Sequence, residues 1–393
     1  MQETIRQSCF IKCLFPNNML KFLIMQNFLY SIGRWVIDSY NRARYTILKK
    51  DGVLASIYRR LVILFYPIIN NKFILNSRVF NLNNKEKLSF YEQLDGATGN
   101  ERKDLILSYM FYHILPWEYE LYNFAKQKHE QRLMWLSDTD RFMCCRLAMG
   151  INTFKCLTDK AIFYSMAKDF FKRPVYVFDK STRKEHLEAF VSKADKLFVK
   201  PLDGSLGKGA FIIESNDYVS LYDKLTRSGK CWMLEGVINQ VDDMSMWNKT
   251  SVNTVRIPSF KVNGEIHILQ PFFRTGRKGQ IVDNAGAGGI LCVIDEVSGV
   301  IKTDGFDEHN NQYEYHPDCG LKYKDWQIPH WNELRGLVRK VHLALPDDFR
   351  YIGFDFALTP SGWDLIEGNW GQMVGQIAEQ RGIKREFESY LVI

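Results

Sequence analysis

Residues 263 and 264, Asn-Gly, stand between two runs rich in β-branched and aromatic residues, SVNTVRIPSFKV and EIHILQPFFRTG. Such a dipeptide supplies the left-handed backbone that a two-residue turn needs, so the two runs are expected to pair as an antiparallel hairpin. A second hairpin is expected around TPSG, with residues 351–358 and 363–367 as its strands. Two hairpins in one stretch commit the last third of the chain to a mostly antiparallel sheet, and other elements have to cover it.

Upstream the texture is different. Residues 101–136 read as helical, with Leu105, Tyr109 and Tyr112 at helical spacing and Pro116 interrupting the run. From about residue 173, RPVYVF, KLFVKP and CWMLEGVI read as short strands. STRKEHLEAFVSKA reads as a helix capped by Ser181, and DYVSLYDKLTRSG as a helix ended by Gly229. A short helical stretch is expected near the C-terminus. The order of helices, mixed β-α-β and antiparallel block predicts an α+β protein of two lobes, with ligands taken up between them.

A length of 393 residues suggests two or three structural units. Residues 1–80 hold 12 Lys and Arg against 3 Asp and Glu, so the whole basic excess of the chain sits there. No nucleic-acid-binding module accompanies it. The segment suits either an anionic membrane surface or a solvated helical face. The apolar runs 19–30 and 61–69 fall short of the roughly 20 residues a bilayer helix needs, Lys21, Gln26, Asn27 and Pro67 interrupting them. The expected location is the cytoplasm, with a peripheral place at the inner face of the membrane as the membrane-bound alternative. The eight Cys contain no CxxC pair and the eight His no HExxH, which argues against zinc sites of those kinds and for scattered reduced thiols.

Three groups of residues carry candidate chemistry. The first is LFVKPLDGSLGKGAFIIES, residues 197–215, in which Gly204, Ser205, Gly207, Lys208 and Gly209 form a loop between two strands and Lys200 ends the first. Glycines let backbone N–H groups approach phosphate oxygens. The pattern is neither a Walker A loop nor GxGxxG, and a plain hairpin explains it as well. The second group is IGFDFALTPSGWDLIEGN, in which Asp355 faces Glu367 across the hairpin and Asn369 shares the face of Glu367. Three oxygen donors of this kind suit Mg²⁺. Asp364 alternates differently and is expected to be exposed. A carboxylate at 355, between Phe354 and Phe356, needs a partner. In the third group, Asn253 and Arg256 begin one strand and Arg274 ends its partner, ahead of Asp283, Asn284 and a turn with Gly286, Gly288 and Gly289. Arginines there can hold phosphate or carboxylate, while Arg277 and Lys278 flank a turn and are expected to be solvated.

In this order, Lys160, Lys200, the Gly-rich loop, MLEGVI, NTVRI, FFRTG…VDN…GGI and D…IEGN resemble the ATP-grasp superfamily, and most closely the sugar-transfer-associated ATP-grasp proteins of polysaccharide biosynthesis, over roughly residues 115–390. D-alanine–D-alanine ligase resembles it more distantly. The resemblance implies an ATP-grasp fold with a basic helical N-terminal extension: 1–80 the extension, 81–172 a helical substrate region, 173–240 the small lobe, 241–393 the large lobe with the metal site. It implies that Lys160 and Lys200 contact the nucleotide, that Gly204, Ser205, Gly207, Lys208 and Gly209 close over its phosphates, and that Glu235, Gly236, Val237 and Ile238 meet the adenine. Asp242 or Asp243 would hold the ribose. Arg256 and Arg274 would be catalytic, and Asp355, Glu367 and Asn369 would ligate two Mg²⁺, or Mn²⁺ in their place. The implied activity is ATP-dependent ligation of a carboxylate to an amine or other nucleophile through an acyl phosphate, on a sugar or glycan precursor of a capsule or exopolysaccharide. A kinase acting on a sugar hydroxyl and a catalytically silent nucleotide-binding module are the rival readings. Residues 81–150 and 300–330 are expected to shape the substrate pocket, with Trp326 and Trp331 either stacking on a sugar or filling the core.

Overall fold

The computed structural model describes residues 101–202, 209–370 and 375–391, apart from 102, 103, 106, 107, 110 and 111. The expectations for residues 1–80, and those for Gly204, Ser205, Gly207 and Lys208, lie outside the described residues. The chain forms two compact units, Met1–Tyr119 and Glu120–Ile393. In the first, Leu105 and Tyr109 are buried, as their helical spacing predicts. The second unit carries both sheets.

After the short helical segments Phe124–Lys126 and His129–Arg132 it runs into two consecutive helices, α1 (Asp138–Thr158) and α2 (Lys160–Ala167). The break between them is made by Asp159, whose carboxylate accepts hydrogen bonds from the N–H groups of Ala161 and Ile162 and so caps α2. Next come β1 (Val175–Phe178), α3 (Lys184–Val191), β2 (Lys196–Pro201), β3 (Phe211–Glu214), α4 (Tyr218–Ser228) and β4 (Trp232–Gly236). The strands form an antiparallel sheet in the order β1-β4-β2-β3. Alternation sends Leu197, Val199, Trp232 and Leu234 toward α3 and α4, where they pack with Leu187, Phe190, Leu221 and Leu225. The same alternation puts Phe198, Lys200, Met233 and Glu235 on the opposite face.

Gly229 ends α4 in the left-handed conformation, as expected, with φ 65°. Ser181 does not cap α3. The helix starts later, with Arg183 at its N-cap, because Asp179 accepts hydrogen bonds from both the N–H and the hydroxyl of Ser181.

The second sheet contains β5 (Thr254–Val262), β6 (Glu265–Ile268), β7 (Phe272–Thr275), β8 (Ile290–Val293), β9 (Gly305–Phe306), β10 (Gln312–Tyr313), β11 (Tyr351–Thr359) and β12 (Gly362–Asn369). Its order is β10-β9-β8-β7-β5-β11-β12, with β6 also paired to β5. The Asn263-Gly264 hairpin is present, Val262 opposite Glu265 and both turn residues at positive φ. The return run divides into β6 and β7 at Gln270, which is itself at positive φ, and both pieces pair with β5.

One face of this sheet is apolar. Val255, Ile257, Phe273, Phe354 and Phe356 pack with Leu334, Val338 and Val341 of α5 (Trp331–Ala344). At Gly368 a Cβ would come within 2.4 Å of the Phe163 ring, so glycine is what lets α2 lie against β12. Trp326 stacks on Phe273 with centroids 5.4 Å apart and Trp331 is buried, so both tryptophans fill the core. The C-terminal α6 (Lys384–Leu391) sets Phe387 against Phe260 and Tyr351 on the other face. No helix among the described residues is long and apolar enough to cross a membrane. The described cysteines are free thiols, with Cys144, Cys145 and Cys292 buried.

The core holds one titrating group with a readable consequence. His342 of α5 lies 2.7 Å from the Ser259 hydroxyl through Nδ1 and 2.6 Å from the Phe349 carbonyl through Nε2. A carbonyl only accepts, so Nε2 carries the proton and the ring is neutral. Burial pushes its pKa down from 6.5 to about 4, the Phe349 bond opposing and Lys261 adding to the shift. The folded state therefore resists protonation. Its stabilising effect is complete above pH 6.5 and is lost as the pH falls through about 4. The loss amounts to roughly 3 kcal/mol. Urea denaturation at pH 7.5 and pH 4 should show a smaller acid loss in His342→Gln than in the natural chain. Equal losses would remove His342 as their cause.

Candidate active site

The site begins with a slip in one hairpin. Gly353 pairs with Asn369 and Asp355 with Glu367, which puts Asp355, Glu367 and Asn369 on one face of the sheet. The register then shifts, and Phe356 pairs with Leu365 and Ala357 with Asp364. The bulge reverses the parity of β12, so Asp364 shares the face of Glu367 instead of opposing it. This overturns the expected exposure of Asp364, which is 1% exposed.

Asp355 is also 1% exposed, and it is held by two arginines from neighbouring strands. Arg256, its cross-strand partner on β5, donates from Nε to Oδ1 and from Nη2 to Oδ2, both at 2.5 Å. Arg274 of β7 donates from Nη2 to Oδ2 at 2.9 Å. Burial opposes the charged carboxylate, but the two guanidiniums outweigh it and hold Asp355 below its ordinary pKa. Arg274 is braced by the Thr254 hydroxyl at 2.8 and 2.7 Å and lies 3.4 Å from Asp283. At Asp283 the balance goes the other way: burial raises its pKa although Arg274 and Thr254 favour the anion. Glu367, one-third exposed, lies 3.8 Å from Arg256. The result is a row of charges, Asp283–Arg274–Asp355–Arg256–Glu367, across one sheet face.

The four-stranded sheet presents its own charged group. Lys200 Nζ lies 3.0 Å from Glu235 Oε1, and Arg173 Nη2 lies 3.2 Å from Glu235 Oε2. Arg173 also reaches the other sheet at the bulge, with Nη1 3.0 Å from Asp364 Oδ1 and 2.8 Å from the Leu365 carbonyl, and Nη2 3.3 Å from the Ile366 carbonyl. Burial disfavours the charged Glu235, yet Arg173 and Lys200 together lower its pKa. One buried guanidinium thus ties the Lys200–Glu235 pair to the hairpin bearing Glu367.

This ordered set matches a family model described as sugar-transfer associated ATP-grasp over residues 150–390. The chain belongs to the sugar-transfer-associated ATP-grasp family. Comparison with curated proteins gives no match. Among solved structures it is similar to D-cycloserine synthetase DcsG, with TM-score 0.37 and 12% identity over 61% of this chain and 76% of that one. D-alanyl-alanine synthetase A from Vibrio cholerae O1 biovar eltor gives TM-score 0.36 and 12% identity over 61% and 66%. The L-amino acid ligase from Bacillus licheniformis gives 0.38 and 11% over 64% and 53%. The chain therefore spans between about half and three quarters of these structures.

The other candidate residues of this ATP-grasp chain fall as follows. Lys160, first residue of α2, donates from Nζ to the Leu202 carbonyl at 3.2 Å, where β2 runs into residues 203–208. Gly209 is at positive φ on the far side of that segment. The N–H groups of Gly236 and Val237 are bonded to the carbonyls of Pro174 and Lys196, and Ile238 lies just beyond. Asp242 and Asp243 are exposed in the first turn of the short helix Asp242–Ser245. Asn253 is a buried brace, donating to the carbonyls of Met244 and Asn248. Arg277 is half-buried and paired rather than freely solvated: Asp318 accepts from its Nε at 2.7 Å and from its Nη2 at 3.1 Å.

Arg173 and Thr254 are not among the expected site residues, and Asp283 is expected there only as preceding the Gly-rich turn. Nor is Arg141 expected there; it donates to the Trp370 carbonyl at 3.3 Å and lies 4.5 Å above the Trp370 ring, anchoring the chain just after Asn369. An Arg before a strand or inside a helix carries no local signal of such a contact.

A divalent cation suits part of this donor set. Among the described residues no three His, Cys, Asp or Glu stand together as a metal cluster. Mg²⁺ does not require one, since it takes one or two carboxylates together with water and phosphate oxygens. Glu367 and Asn369 are hard oxygen donors on the right face. Asp355 accepts three N–H bonds from the arginines, which leaves one of its roughly four lone-pair positions. Glu367 and Asn369 would be the principal ligands, and Asp355 chiefly the holder of Arg256 and Arg274.

Proposed function

We propose that this chain is an ATP-dependent ligase that converts a carboxylate to an acyl phosphate and passes the acyl group to an amine or another nucleophile, on a sugar or glycan precursor. The observation that carries this reading is the row Arg274–Asp355–Arg256 beside Glu367 and Asn369, on the sheet that Arg173 ties to Lys200 and Glu235. Transfer of the γ-phosphoryl group needs positioning and charge neutralisation more than a protein nucleophile. A guanidinium has five N–H donors. Arg256 spends two on Asp355, and Arg274 spends three on Thr254 and Asp355, so both keep donors for substrate oxygens. Asp355 fixes their planes in advance, which is how such groups stabilise developing charge without reorganising. Mg²⁺, held by Glu367 and Asn369, would supply neutralisation of the phosphate charge. Lys200 is oriented by Glu235 to contact the nucleotide, and the backbone from Ile238 onward is the segment left to read the base. The family description supports the glycan part.

Hydroxylamine traps acyl phosphates as hydroxamates, which makes a direct test. The protein, Mg-ATP and hydroxylamine should give hydroxamate from at least one of a set of uronic and amino acids, with ADP and phosphate in equal amounts. ADP together with a phosphorylated sugar and no hydroxamate would favour the kinase reading. Absence of any thermal shift with Mg-ATP would overturn the nucleotide site itself.

A further inference from the structure

The face that bears Arg274 also carries a concavity. A cavity of about 500 Å³ opens beside β9 and β10, and Lys302, Asp304, Phe306, Gln312, Lys324 and Arg381 line it. Arg274 pairs with Leu291 and Leu291 with Phe306, so Phe306 is on the face of Arg274. Two strand spacings, roughly 10 Å, separate them. The short helix Gly375–Glu379 lies over this face, Ala378 packing with Phe272, Leu291, Val293 and Phe306. The cavity therefore adjoins the charged row and belongs to the same surface.

Its polar groups are unevenly matched. Glu379 is committed to Lys302 at 2.5 Å, to Arg381 at 3.2 Å and to the Gln270 amide at 2.6 Å. These contacts hold Glu379 below its ordinary pKa in spite of burial. Asp304 accepts from the Gln312 amide at 2.5 Å. Lys324 is exposed and meets no carboxylate within ion-pair distance among the described residues. Lys302 also meets Glu296 at 3.7 Å and Arg381 meets Glu386 at 2.5 Å, so of the three lining cations it is Lys324 that has no carboxylate partner among the described residues. Asp304 and Gln312 offer an acceptor and a donor suited to hydroxyl groups, and Phe306 an apolar wall. A cavity of this size suits one small ligand.

We propose that this cavity is the subsite for the second substrate, a hydroxylated anion: a sugar bearing a phosphate or a carboxylate. Its role as a substrate subsite rests on the ligase reading above; its binding of the anion does not. Calorimetry without nucleotide tests it, using glucose 1-phosphate, glucuronate, glucose and inorganic phosphate as probes. At least one anionic sugar should bind at least tenfold more tightly than glucose and than inorganic phosphate. Lys324→Glu, a change at an exposed side chain, should weaken that sugar tenfold or more while the thermal shift with Mg-ATP stays as in the natural chain. Preference for glucose 1-phosphate or for glucuronate identifies the anionic group. The proposal is overturned if neither anionic sugar binds, if Lys324→Glu binds them unchanged, or if inorganic phosphate binds as tightly. Sugar binding without any Mg-ATP shift would uphold the anion site and overturn the ligase reading.

Discussion

Arg173→Ala is expected to destabilise the protein by about 3–5 kcal/mol, the cost of removing one partner from a buried ion pair. Arg173 serves two carboxylates at once, Glu235 on the four-stranded sheet and Asp364 on the hairpin of the other. Its side chain is buried, 5% exposed, and although burial disfavours the cation, Glu235 and Asp364 raise its pKa. Among the described residues, removing it leaves Asp364, 1% exposed, with only the N–H of Lys172 at 2.9 Å, and leaves Glu235 to Lys200 alone. The same change removes the guanidinium bonds to the carbonyls of Leu365 and Ile366, the residues at the bulge beside Glu367. Nucleotide binding should fall with stability, read as loss of most of the Mg-ATP thermal shift. Urea denaturation supplies the stability figure. Adding Asp364→Asn to Arg173→Ala should recover part of the loss, because an uncompensated buried charge is then gone. A single variant as stable as the natural chain would refute the bridging role.

Arg256→Ala should act on chemistry more than on binding. Arg256 makes the bidentate contact to Asp355, and its pKa is raised by Asp355, with Glu367 and Asp283 adding, against the burial that lowers it. Turnover of ATP should drop at least 100-fold, the order found when one donor that stabilises developing charge is removed. Stability should also fall, since Arg274 alone would face Asp355. The double variant Arg256→Met, Asp355→Asn separates the two effects. It removes the charge that Arg256→Ala leaves half-paired, and Arg274 keeps Asp283 and Thr254, so part of the lost stability should return while turnover remains low. Turnover restored in the double variant would mean that Arg256 serves the fold and not the reaction. Arg256→Lys should fall between, because an ammonium cannot make the planar two-point contact.

Much of this architecture was legible in local patterns. The Asn263-Gly264 turn, the strands on either side of it, the hairpin that joins the Asp355 and Glu367 strands and the termination of α4 at Gly229 all follow from short-range backbone chemistry. So does the need of Asp355 for a partner, since a carboxylate between Phe354 and Phe356 has no other way to remain charged. The order of Lys, Gly-rich, Arg and Asp…Glu-x-Asn segments along the chain was enough to indicate the family.

Other features depended on contacts between distant segments. Arg173 and Asp364 are 191 positions apart, and a single slip in β12 register decides that Glu367 comes to the same face as Asp364 and Asp355. Such a bulge changes which face every later residue takes, and no local residue type marks it. The same holds for Arg277, which reads as a turn residue until Asp318 is brought against it. Trp326 and Trp331 are core because α5 and the sheet close over them. Local sequence by itself determined which backbone conformations this chain adopts, because turns, caps and alternation are short-range. Only the tertiary structure decided which charges meet, because burial and pairing are properties of the assembled sheets.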